Sequence, residues 1–320
     1  MQELKDILYG VNIIAVKGKT AVGIDHLTFD SRNVTPNSVF IAIEGENSDG
    51  HDFIPQVIAS GCSVVIVSHE IKVPETCSVI QVENTKKALA IMASNFYGEP
   101  SKRLKLIGIT GTNGKTTIAT LLFQLYTQLG YQTGLISTVV NKICDRDIPS
   151  THTTPDPIRL NALLQEMAEE GCSHCFMEVS SHAIHQHRIG SLHFAGGAFT
   201  NITHEHLDYH KTFKEYINVK KAFFDDLPKT AFALSNIDDK NGEVMLQNTK
   251  ARKVSYALKS MADYKAKVLE NEFSGLVLTI NGHELWTKLI GDFNAYNILA
   301  VFGISIELGE DETEVLTILS

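Results

Sequence analysis

The sequence predicts an α/β protein with a small N-terminal α/β domain and a larger domain whose sheet is mainly parallel, with a small antiparallel β section. Three observations predict this class. Short β-branched runs alternate with helical stretches, a glycine-rich turn joins a strand to a helix at 104–122, and alternating hairpin-like runs follow residue 253. Glycine and proline at 98–100 mark a boundary, so we expect domains at 1–100 and 101–320.

Composition and charge exclude several classes of function. The net charge is −9, so the chain has no overall positive field that would attract nucleic acid or an anionic membrane. No apolar run approaches the length of a membrane span, and the charged N-terminus MQELKDILYG does not read as a signal peptide. Five cysteines, an odd number, indicate reduced thiols. We therefore expect a cytoplasmic protein that binds neither nucleic acid nor membrane.

The first 100 residues predict strands at 39–43, 64–67 and 79–82 and helices at 51–60 and 84–96. Two polar segments lie among them. One is Asp30-Ser31-Arg32, and the other is the glycine-bearing segment 45–51. By its turn chemistry, the second segment is a loop, for which a plain surface role is the simplest interpretation.

The glycine-rich turn at 111–114 carries the clearest chemical signal. It follows an apolar strand at 104–109 and precedes Lys115, Thr116, Thr117 and a helical apolar pattern. Backbone N–H groups of such a loop close on phosphate oxygens, and the helix N-terminus adds partial positive charge. Lys115 would reach the β- and γ-phosphates and the Thr116 hydroxyl would bind Mg²⁺, so this is a P-loop-type mononucleotide-binding domain. The strict motif has glycine where this chain has Ile109, and the alternative is a glycine turn that caps an ordinary helix.

Polar side chains follow the next strands. Glu178 ends a short strand and is well placed for phosphate-bound Mg²⁺, since ligands collect at the carboxyl ends of strands. The alternative is a solvated strand end. The histidines at 204–210 suggest zinc, but the phosphate loop favours Mg²⁺, with one imidazole as a possible ligand. We interpret Cys172 and Cys175, a C-x-x-C pair without a second pair, as structural.

Further elements follow in order. We expect strands at 133–138 and 197–201, helices at 158–170 and 212–227, and hairpin strands at 276–280 and 285–289 around an Asn-Gly turn. Residues 291–297 open another helix, and the chain stops in what reads as an unfinished helix.

In this order the segments resemble the Mur ligase family, the ATP-dependent amide-forming enzymes of bacterial cell-wall precursor synthesis, and within it the MurE type. Eight motifs carry the resemblance: DSR at 30–32, TGTNGKTT at 110–117, TTPDP at 153–157, MEVSSHA at 177–183, HLDYH at 206–210, YxxxK at 216–220, NxDD at 236–239 and GxFNxxN at 291–297. Local departures are His152, Glu205 and Lys211, where the family often has other residues.

The resemblance implies a role for each matched residue. The uridine end of the substrate would lie against Ser31, Glu46, Asn47 and Ser48. The muramoyl-peptide part would lie against Thr153, Thr154, Ser180, Gln186 and Arg188. ATP would be held by Gly111, Thr112, Asn113, Gly114, Lys115, Thr116 and Thr117, with Asn294 and Asn297 near the adenine. The catalytic residues would be Lys115, Glu178, His206 and Lys220, and the metal ligands Thr116, Glu178, His206 and Lys220, the last as a carbamylated lysine.

The implied reaction adds the third amino acid to UDP-N-acetylmuramoyl-L-alanyl-D-glutamate through an acyl phosphate, with ATP and Mg²⁺. The amino acid would be diaminopimelate or lysine, and the protein a monomer. Family members carry a third, C-terminal domain for that amino acid. We expect this chain to lack it, so that residues 1–320 bind both substrates without forming the amide. The alternatives are a folylpolyglutamate-synthetase-like ligase and a non-catalytic UDP-muramoyl-peptide-binding module.

Overall fold

A computed structural model describes residues 1–45, 48–203, 209–210 and 212–320 of the chain. Three predicted site residues, Glu46, Asn47 and His206, lie outside the described residues. The described part forms two compact units. The first comprises Met1–Pro100, Asp156–Gln165 and Gln186–Leu192, and the second comprises Ser101–Pro155, Glu166–His185 and His193–Ser320. Each unit is therefore assembled from separate stretches of sequence, and the binding role predicted for each domain stays a prediction.

The first unit is an α/β unit with short elements. Its strands are β1 (Gln2–Glu3), β2 (Ile13–Lys17), β3 (Gly23–Ile24), β4 (His26–Thr28), β5 (Ser38–Ile41), β6 (Val64–Val67) and β7 (Ser78–Val82). Its helices are α1 (Leu4–Ile7), α2 (Ile54–Ala59) and α3 (Thr85–Phe96). Single 3₁₀ turns at Ser31–Asn33 and Gly50–Phe53 follow the two polar segments of the sequence. The helix predicted at 51–60 is thus a 3₁₀ turn followed by α2, because Pro55 favours a helix that starts there.

In the described part of the first unit, five strands form a sheet in the order β2-β7-β6-β5-β4. Strands β4 to β7 are parallel, and β2 is antiparallel to β7 at one edge. Side chains alternate between the two faces, as the pleat requires. In β5, Val39 and Ile41 pack with α1 and α3, whereas Phe40 packs with α2. Both faces are covered, which explains the continuous apolar runs in the sequence.

The second unit contains the larger sheet. Its strands are β8 (Lys105–Thr110), β9 (Thr133–Ile136), β10 (Val140–Ile143), β11 (Arg146–Pro149), β12 (His174–Glu178), β13 (Phe194–Phe199), β14 (Phe232–Asn236), β15 (Arg252–Ala257), β16 (Tyr264–Glu272), β17 (Gly275–Ile280) and β18 (His283–Thr287). Its helices are α4 (Lys115–Gln128), α6 (Ser181–His185), α7 (Phe213–Asp225), α8 (Gly242–Met245), α9 (Asp292–Leu308) and α10 (Glu312–Leu319). Helix α5 (Pro157–Glu169) starts in a stretch of the first unit and ends in one of the second.

Among the described residues of this unit, eleven strands run in the order β11-β10-β9-β12-β8-β13-β14-β15-β16-β17-β18. The strands from β9 to β16 are parallel, and the pairs at both ends of the sheet are antiparallel. The mainly parallel sheet with a small antiparallel section is thereby confirmed. The Asn281-Gly282 turn has φ of 50° and 84° and connects β17 to β18, as predicted. Within the described ranges, no helix has the length and apolar character needed to cross a membrane.

Two predicted strands end earlier than expected. We predicted strands at 133–138 and 197–201, but β9 ends at Ile136 and β13 at Phe199. Just beyond these strands, the Thr138 N–H donates to Glu178 at the end of β12, and the Asn201 side chain accepts from the Asn113 N–H in the glycine-rich turn. The error therefore falls at the carboxyl edge of the sheet, where the candidate site lies.

Candidate active site

The glycine-rich turn lies between β8 and α4, as the sequence predicts. Gly111 and Gly114 have φ of 149° and 90°, in the range that favours glycine. A Cβ atom at Gly114 would lie 2.5 Å from Asn297 Oδ1, and one at Gly111 would overlap the Thr200 hydroxyl. A side chain at either position would have to displace one of these neighbours, so both the φ values and the packing favour glycine.

The departure from the strict loop motif at Ile109 has a packing explanation. Ile109 is fully buried and belongs to the core of the second unit. Its neighbour Gly108 lies under α7, where a Cβ would come within 2.6 Å of the Phe223 ring. The glycine one place early is therefore required by helix packing on the strand, and the turn itself begins at Gly111.

Two lysines converge on the same carbonyl of the turn. Lys115 Nζ donates to Gly111 O at 3.0 Å and to Thr112 O at 2.8 Å. Lys220 Nζ donates to Gly111 O at 2.9 Å and lies 4.8 Å from the centre of the Tyr216 ring. Lys220 is only 1% exposed. The two ammonium groups therefore share one acceptor oxygen, and both would attract an anion bound at this turn.

Glu178 is the buried carboxylate at the carboxyl end of β12, with 1% exposure. Among the described residues, its Oε1 accepts from the Thr116 hydroxyl and from the Thr138 N–H, both at 2.8 Å. Its Oε2 accepts from the Thr138 hydroxyl at 3.2 Å. A carboxylate beside the hydroxyl that opens α4 offers the hard oxygen ligands that Mg²⁺ prefers, so the residues present fit that ion. Sequence reasoning missed Thr138, whose only signal was its place at the end of the strand beside β12.

The predicted muramoyl-peptide residues of the second unit surround the same strand end. Thr154 donates to the carbonyl of Glu178 at 2.8 Å and accepts from the Ser180 N–H at 3.1 Å. The Thr153 hydroxyl lies 3.1 Å from the Thr138 hydroxyl, within hydrogen-bond distance. The structure thus brings Thr153, Thr154 and Ser180 together around Glu178.

The end of β13 is hydrogen-bonded to the turn. Thr112 N donates to Asn201 O at 2.8 Å, Asn113 N donates to Asn201 Oδ1 at 3.0 Å, and the Thr200 hydroxyl donates to Asn113 O at 2.6 Å. In this conformation Asn201 holds the amides of Thr112 and Asn113. By helix geometry, the first-turn amides of α4 cannot bond to carbonyls within the helix, which makes them suitable donors to a phosphate.

A cavity of about 690 Å³ opens beside the turn. Helix α9 contributes Asn297, whose Nδ2 donates to Asn294 Oδ1 at 3.0 Å, and Asn294 in turn donates to Ile290 O at 2.8 Å. Asn297 therefore borders the cavity, and Asn294 positions it. The residues that line the cavity are Asn113, Gly114, Thr117, Thr200, Asn201, Thr203, Asn236, Asp238, Asp239, Tyr256, Phe293, Tyr296 and Asn297.

Asp238 lines this cavity and is held in place by several hydrogen bonds. Its carboxylate accepts from the backbone N–H groups of residues 258–260 at 2.8–2.9 Å and from the Tyr296 hydroxyl at 2.9 Å. Burial alone would raise the pKa of Asp238, but these hydrogen bonds hold it well below its usual range. Burial and the bond to Asp238 together raise the pKa of Tyr296. Sequence reasoning noted the NxDD segment without assigning this role, because the donors lie about 20 and 58 residues away.

The other predicted substrate residues lie in the first unit. Ser31 opens a 3₁₀ turn that Asp30 caps, and Arg32 holds both carboxylate oxygens of Asp30, which lowers the pKa of Asp30 to about 2. Ser48 is exposed, and its carbonyl accepts from Gly45 N at 2.9 Å. Arg188 donates to Gln186 Oε1 at 2.6–3.0 Å. These residues therefore belong to a different unit from the residues around Glu178.

The C-x-x-C pair behaves as the structural interpretation expects. Cys175 is fully buried in β12, and burial raises the pKa of its thiol. The Sγ of Cys172 lies 3.6 Å from that of Cys144, in the turn between β10 and β11, and burial raises the pKa of Cys172 to about 12. Both thiols are protonated at neutral pH, which argues against a reactive thiolate.

Comparison with known proteins gives two family matches. Residues 109–305 match the Mur ligase middle domain, and residues 23–97 match the Mur ligase family, catalytic domain. Over 320 residues the chain is 53% identical to the UDP-N-acetylmuramoyl-L-alanyl-D-glutamate--2,6-diaminopimelate ligase of Cytophaga hutchinsonii, and over 319 residues it is 50% identical to that of Bacteroides fragilis. Each match covers 99% of this chain and 66% of the relative, so the chain spans about two thirds of their length.

Solved structures give the same picture of the fold. A structure of UDP-N-acetylmuramoyl-L-alanyl-D-glutamate--2,6-diaminopimelate ligase matches with a TM-score of 0.86 at 23% identity, over 99% of this chain and 66% of that one. MurF from Acinetobacter baumannii matches with a TM-score of 0.65 at 21% identity, over 92% and 62%. MurF from Thermotoga maritima in complex with ADP matches with a TM-score of 0.59 at 19% identity, over 91% and 65%.

Proposed function

The chain belongs to the Mur ligase family, and from this premise we propose that it is the nucleotide- and UDP-substrate-binding part of an ATP-dependent, amide-forming ligase. The ligase adds the third amino acid, diaminopimelate or lysine, to UDP-N-acetylmuramoyl-L-alanyl-D-glutamate during peptidoglycan precursor synthesis in the cytoplasm. The curated relatives above are named for the diaminopimelate reaction, which favours that amino acid. We propose that the protein is a monomer.

The observation that carries the proposal is the link between the phosphate turn and Glu178. The Thr116 hydroxyl, at the mouth of α4, donates to the buried Glu178 carboxylate at 2.8 Å. These two groups would hold Mg²⁺, together with His206 and Lys220. Mg²⁺ would neutralise the charge that develops on the transferred phosphoryl group.

The chain's own groups would position the reactants. The first-turn amides of α4 and Lys115 would hold the β- and γ-phosphates, and Asn297 would border the adenine in the cavity. Thr153, Thr154 and Ser180, with Gln186 and Arg188, would hold the muramoyl-peptide part so that the D-glutamyl carboxylate attacks the γ-phosphate. The bond between the γ-phosphorus and the β-phosphate oxygen breaks, so an acyl phosphate forms and ADP leaves, and the incoming amine then loses a proton and displaces phosphate from the acyl carbon. Residues 1–100, through Ser31 and the segment 46–48, would hold the uridine diphosphate.

We further propose that Lys220 is carbamylated. A free ammonium would lie beside both Lys115 and the metal, which electrostatics disfavours. A carbamate retains one N–H, which can keep the bond to Gly111 O that Lys220 makes at 2.9 Å. ¹³C NMR of the chain in ¹³C-bicarbonate with Mg²⁺ and nucleotide should give a carbamate signal that is lost in Lys220→Ala. Equal spectra for the two proteins would remove this part of the proposal.

Binding measurements on the 320-residue chain test the function. By calorimetry, Mg²⁺ with a non-hydrolysable ATP analogue should bind, and UDP-N-acetylmuramoyl-L-alanyl-D-glutamate should bind separately. Binding of a pteroate in place of the UDP-sugar peptide would favour the folylpolyglutamate-synthetase-like alternative. Binding of the UDP substrate without any binding of ATP would favour the non-catalytic module.

A further inference from the structure

A cluster of two histidines and a carboxylate lies in the first unit, apart from the residues assigned above. We propose that Glu44, His51 and His69 form a binding site for a divalent transition-metal ion, for which zinc is the natural test ion. Each residue offers one ligand atom, and these atoms lie within 4.8 Å of one another. This proposal goes beyond the proposed ligase function and does not depend on it.

The topology of the sheet explains why the three residues meet. Strands β5 and β6 are parallel neighbours, and their carboxyl ends lead to Glu44 and His69. His51 lies in the 3₁₀ turn Gly50–Phe53, and an isolated bridge pairs Glu44 with Asp49, two residues before His51. The ligand atoms are thus supplied by two adjacent strand ends and one turn, which the sheet holds in place.

His51 is oriented as metal-bound histidines commonly are. Its Nδ1 lies 2.6 Å from Asp49 Oδ1. The Ser68 N–H donates to His51 Nε2 at 3.0 Å, so Nε2 is the acceptor nitrogen and Nδ1 carries the N–H that faces Asp49. The lone pair of His51 is then on Nε2. A histidine that gives its other N–H to a carboxylate is the usual outer arrangement of a metal site.

The ligand atoms converge on one point, which the Ser68 hydroxyl now fills. Ser68 Oγ lies 3.0 Å from Glu44 Oε1, 3.2 Å from His51 Nε2 and 3.2 Å from His69 Nδ1. The two imidazole rings are stacked with centres 4.2 Å apart. A hydroxyl carries one proton and can donate to only one of these acceptors at a time. Rotation of Ser68 about χ1 would open the point to an ion, which would bind nitrogen and oxygen at about 2.0–2.2 Å.

The hydroxyl and the N–H of Ser68 both compete with a metal ion for His51 Nε2, and this competition lowers the affinity of the site. The Ser68 N–H also donates to His51 Nε2 at 3.0 Å, so an ion must replace that bond after a small turn of the ring. Glu44 and His69 are exposed, so an ion can enter and these two side chains can adjust, whereas His51 is buried. Two imidazoles with one carboxylate select zinc, cobalt, nickel or copper over Mg²⁺ and Ca²⁺. The bound ion would link Glu44 and His51 to His69, just beyond the end of β6.

Cobalt absorption spectroscopy of the full 320-residue chain tests the proposal. Co²⁺ bound to nitrogen and oxygen ligands absorbs visible light, and Zn²⁺ should abolish that absorption by competition. The chain has other histidines and carboxylates, so the measurement compares variants. His69→Ala and Glu44→Gln change exposed side chains and should keep the fold, and His283→Ala, an exposed histidine of the second unit, is the matched control.

The expected result is a loss of at least about tenfold in Co²⁺ affinity for His69→Ala and Glu44→Gln, with one equivalent of bound ion missing. His283→Ala should titrate as the unchanged chain does. Zn²⁺ should also raise the melting temperature of the unchanged chain and of His283→Ala more than that of His69→Ala. Equal Co²⁺ stoichiometry and affinity in all four proteins would overturn the proposal and leave Glu44, His51, Ser68 and His69 as a hydrogen-bond network alone.

Discussion

Strand β12 carries a buried ionisable residue at each end, and the two ends differ in the number of hydrogen bonds that reach this residue. At the carboxyl end, three hydrogen bonds from Thr116 and Thr138 meet Glu178. At the amino end, His174 lies among the rings of Tyr126, Tyr131 and Phe176, and among the described residues its Nε2 has no hydrogen-bond partner. Burial lowers the pKa of His174 to about 4. Burial is common to both ends, so it is the convergence of hydrogen-bond donors that distinguishes the site.

The most direct test of the difference between the two ends of β12 is to remove the carboxylate of Glu178. Glu178→Gln keeps an oxygen for Thr116 and Thr138 but removes the charge that would hold Mg²⁺. We expect Mg²⁺-dependent affinity for ATP to fall by about 3–4 kcal/mol, several hundred-fold, because a buried charge partner is lost. Calorimetry measures this change, and His174→Phe, at the other end of the strand, is the control with unchanged affinity. Equal loss in both variants would mean that the two ends do not differ in function.

At the amino end of β12, His174 should affect how the free energy of unfolding depends on pH. The pKa of His174 is about 4 in the folded chain, against the ordinary 6.5 of a histidine in the unfolded chain, so the unfolded chain takes up a proton first as pH falls. The folded state is therefore undisturbed above about pH 6.5, and it loses up to about 3 kcal/mol as pH falls to about 4. Denaturant unfolding at several pH values should show a flatter profile for His174→Phe. A profile that is unchanged by this substitution, or flattened equally by His283→Ala, would contradict the assignment.

Much of the site could be predicted because its signals are local. Gly111, Gly114, Lys115 and Thr116 follow one strand within six residues, and each loop glycine has a steric reason in the structure. Glu178 was predictable from its strand end. The roles of Thr138 and Asp238 were not, because their partners are distant in sequence. The hairpin β10–β11 was also missed, since its turn uses Cys144 at φ 51° and no glycine.

Substitution of Lys115, the lysine of the glycine-rich turn, should reduce ATP affinity less than the loss of Glu178 does. Lys115→Ala removes a charge-assisted contact to phosphate and should weaken ATP binding by about 1.5–3 kcal/mol. Lys105→Ala, an exposed lysine at the amino end of β8, is the matched control. Calorimetry should separate the two variants, and unchanged ATP affinity in Lys115→Ala would count against phosphate binding at this turn.

The smallest expected effect is on the free energy of unfolding when a glycine at either end of α4 is replaced. Gly114 and Gly130 lie before and after helix α4 with φ of 90° and 89°, but only Gly114 has a close neighbour, Asn297. Alanine at either position should cost about 1–2 kcal/mol of unfolding free energy through its backbone conformation. Gly114→Ala should cost about 1 kcal/mol more, because Asn297 must move, and should weaken ATP binding. Denaturant unfolding of the two variants measures the difference, and equal losses would show that Asn297 yields freely.

The central claim is that this carboxyl edge of the sheet holds a nucleotide through Mg²⁺. A crystal structure of the chain with Mg²⁺ and a non-hydrolysable ATP analogue tests it most directly. We predict the phosphates on the amides at the start of α4, Mg²⁺ coordinated by Thr116 and Glu178, and the adenine in the cavity beside Asn297. A nucleotide bound elsewhere, or phosphates on this turn with the metal bound away from Glu178, would contradict the account.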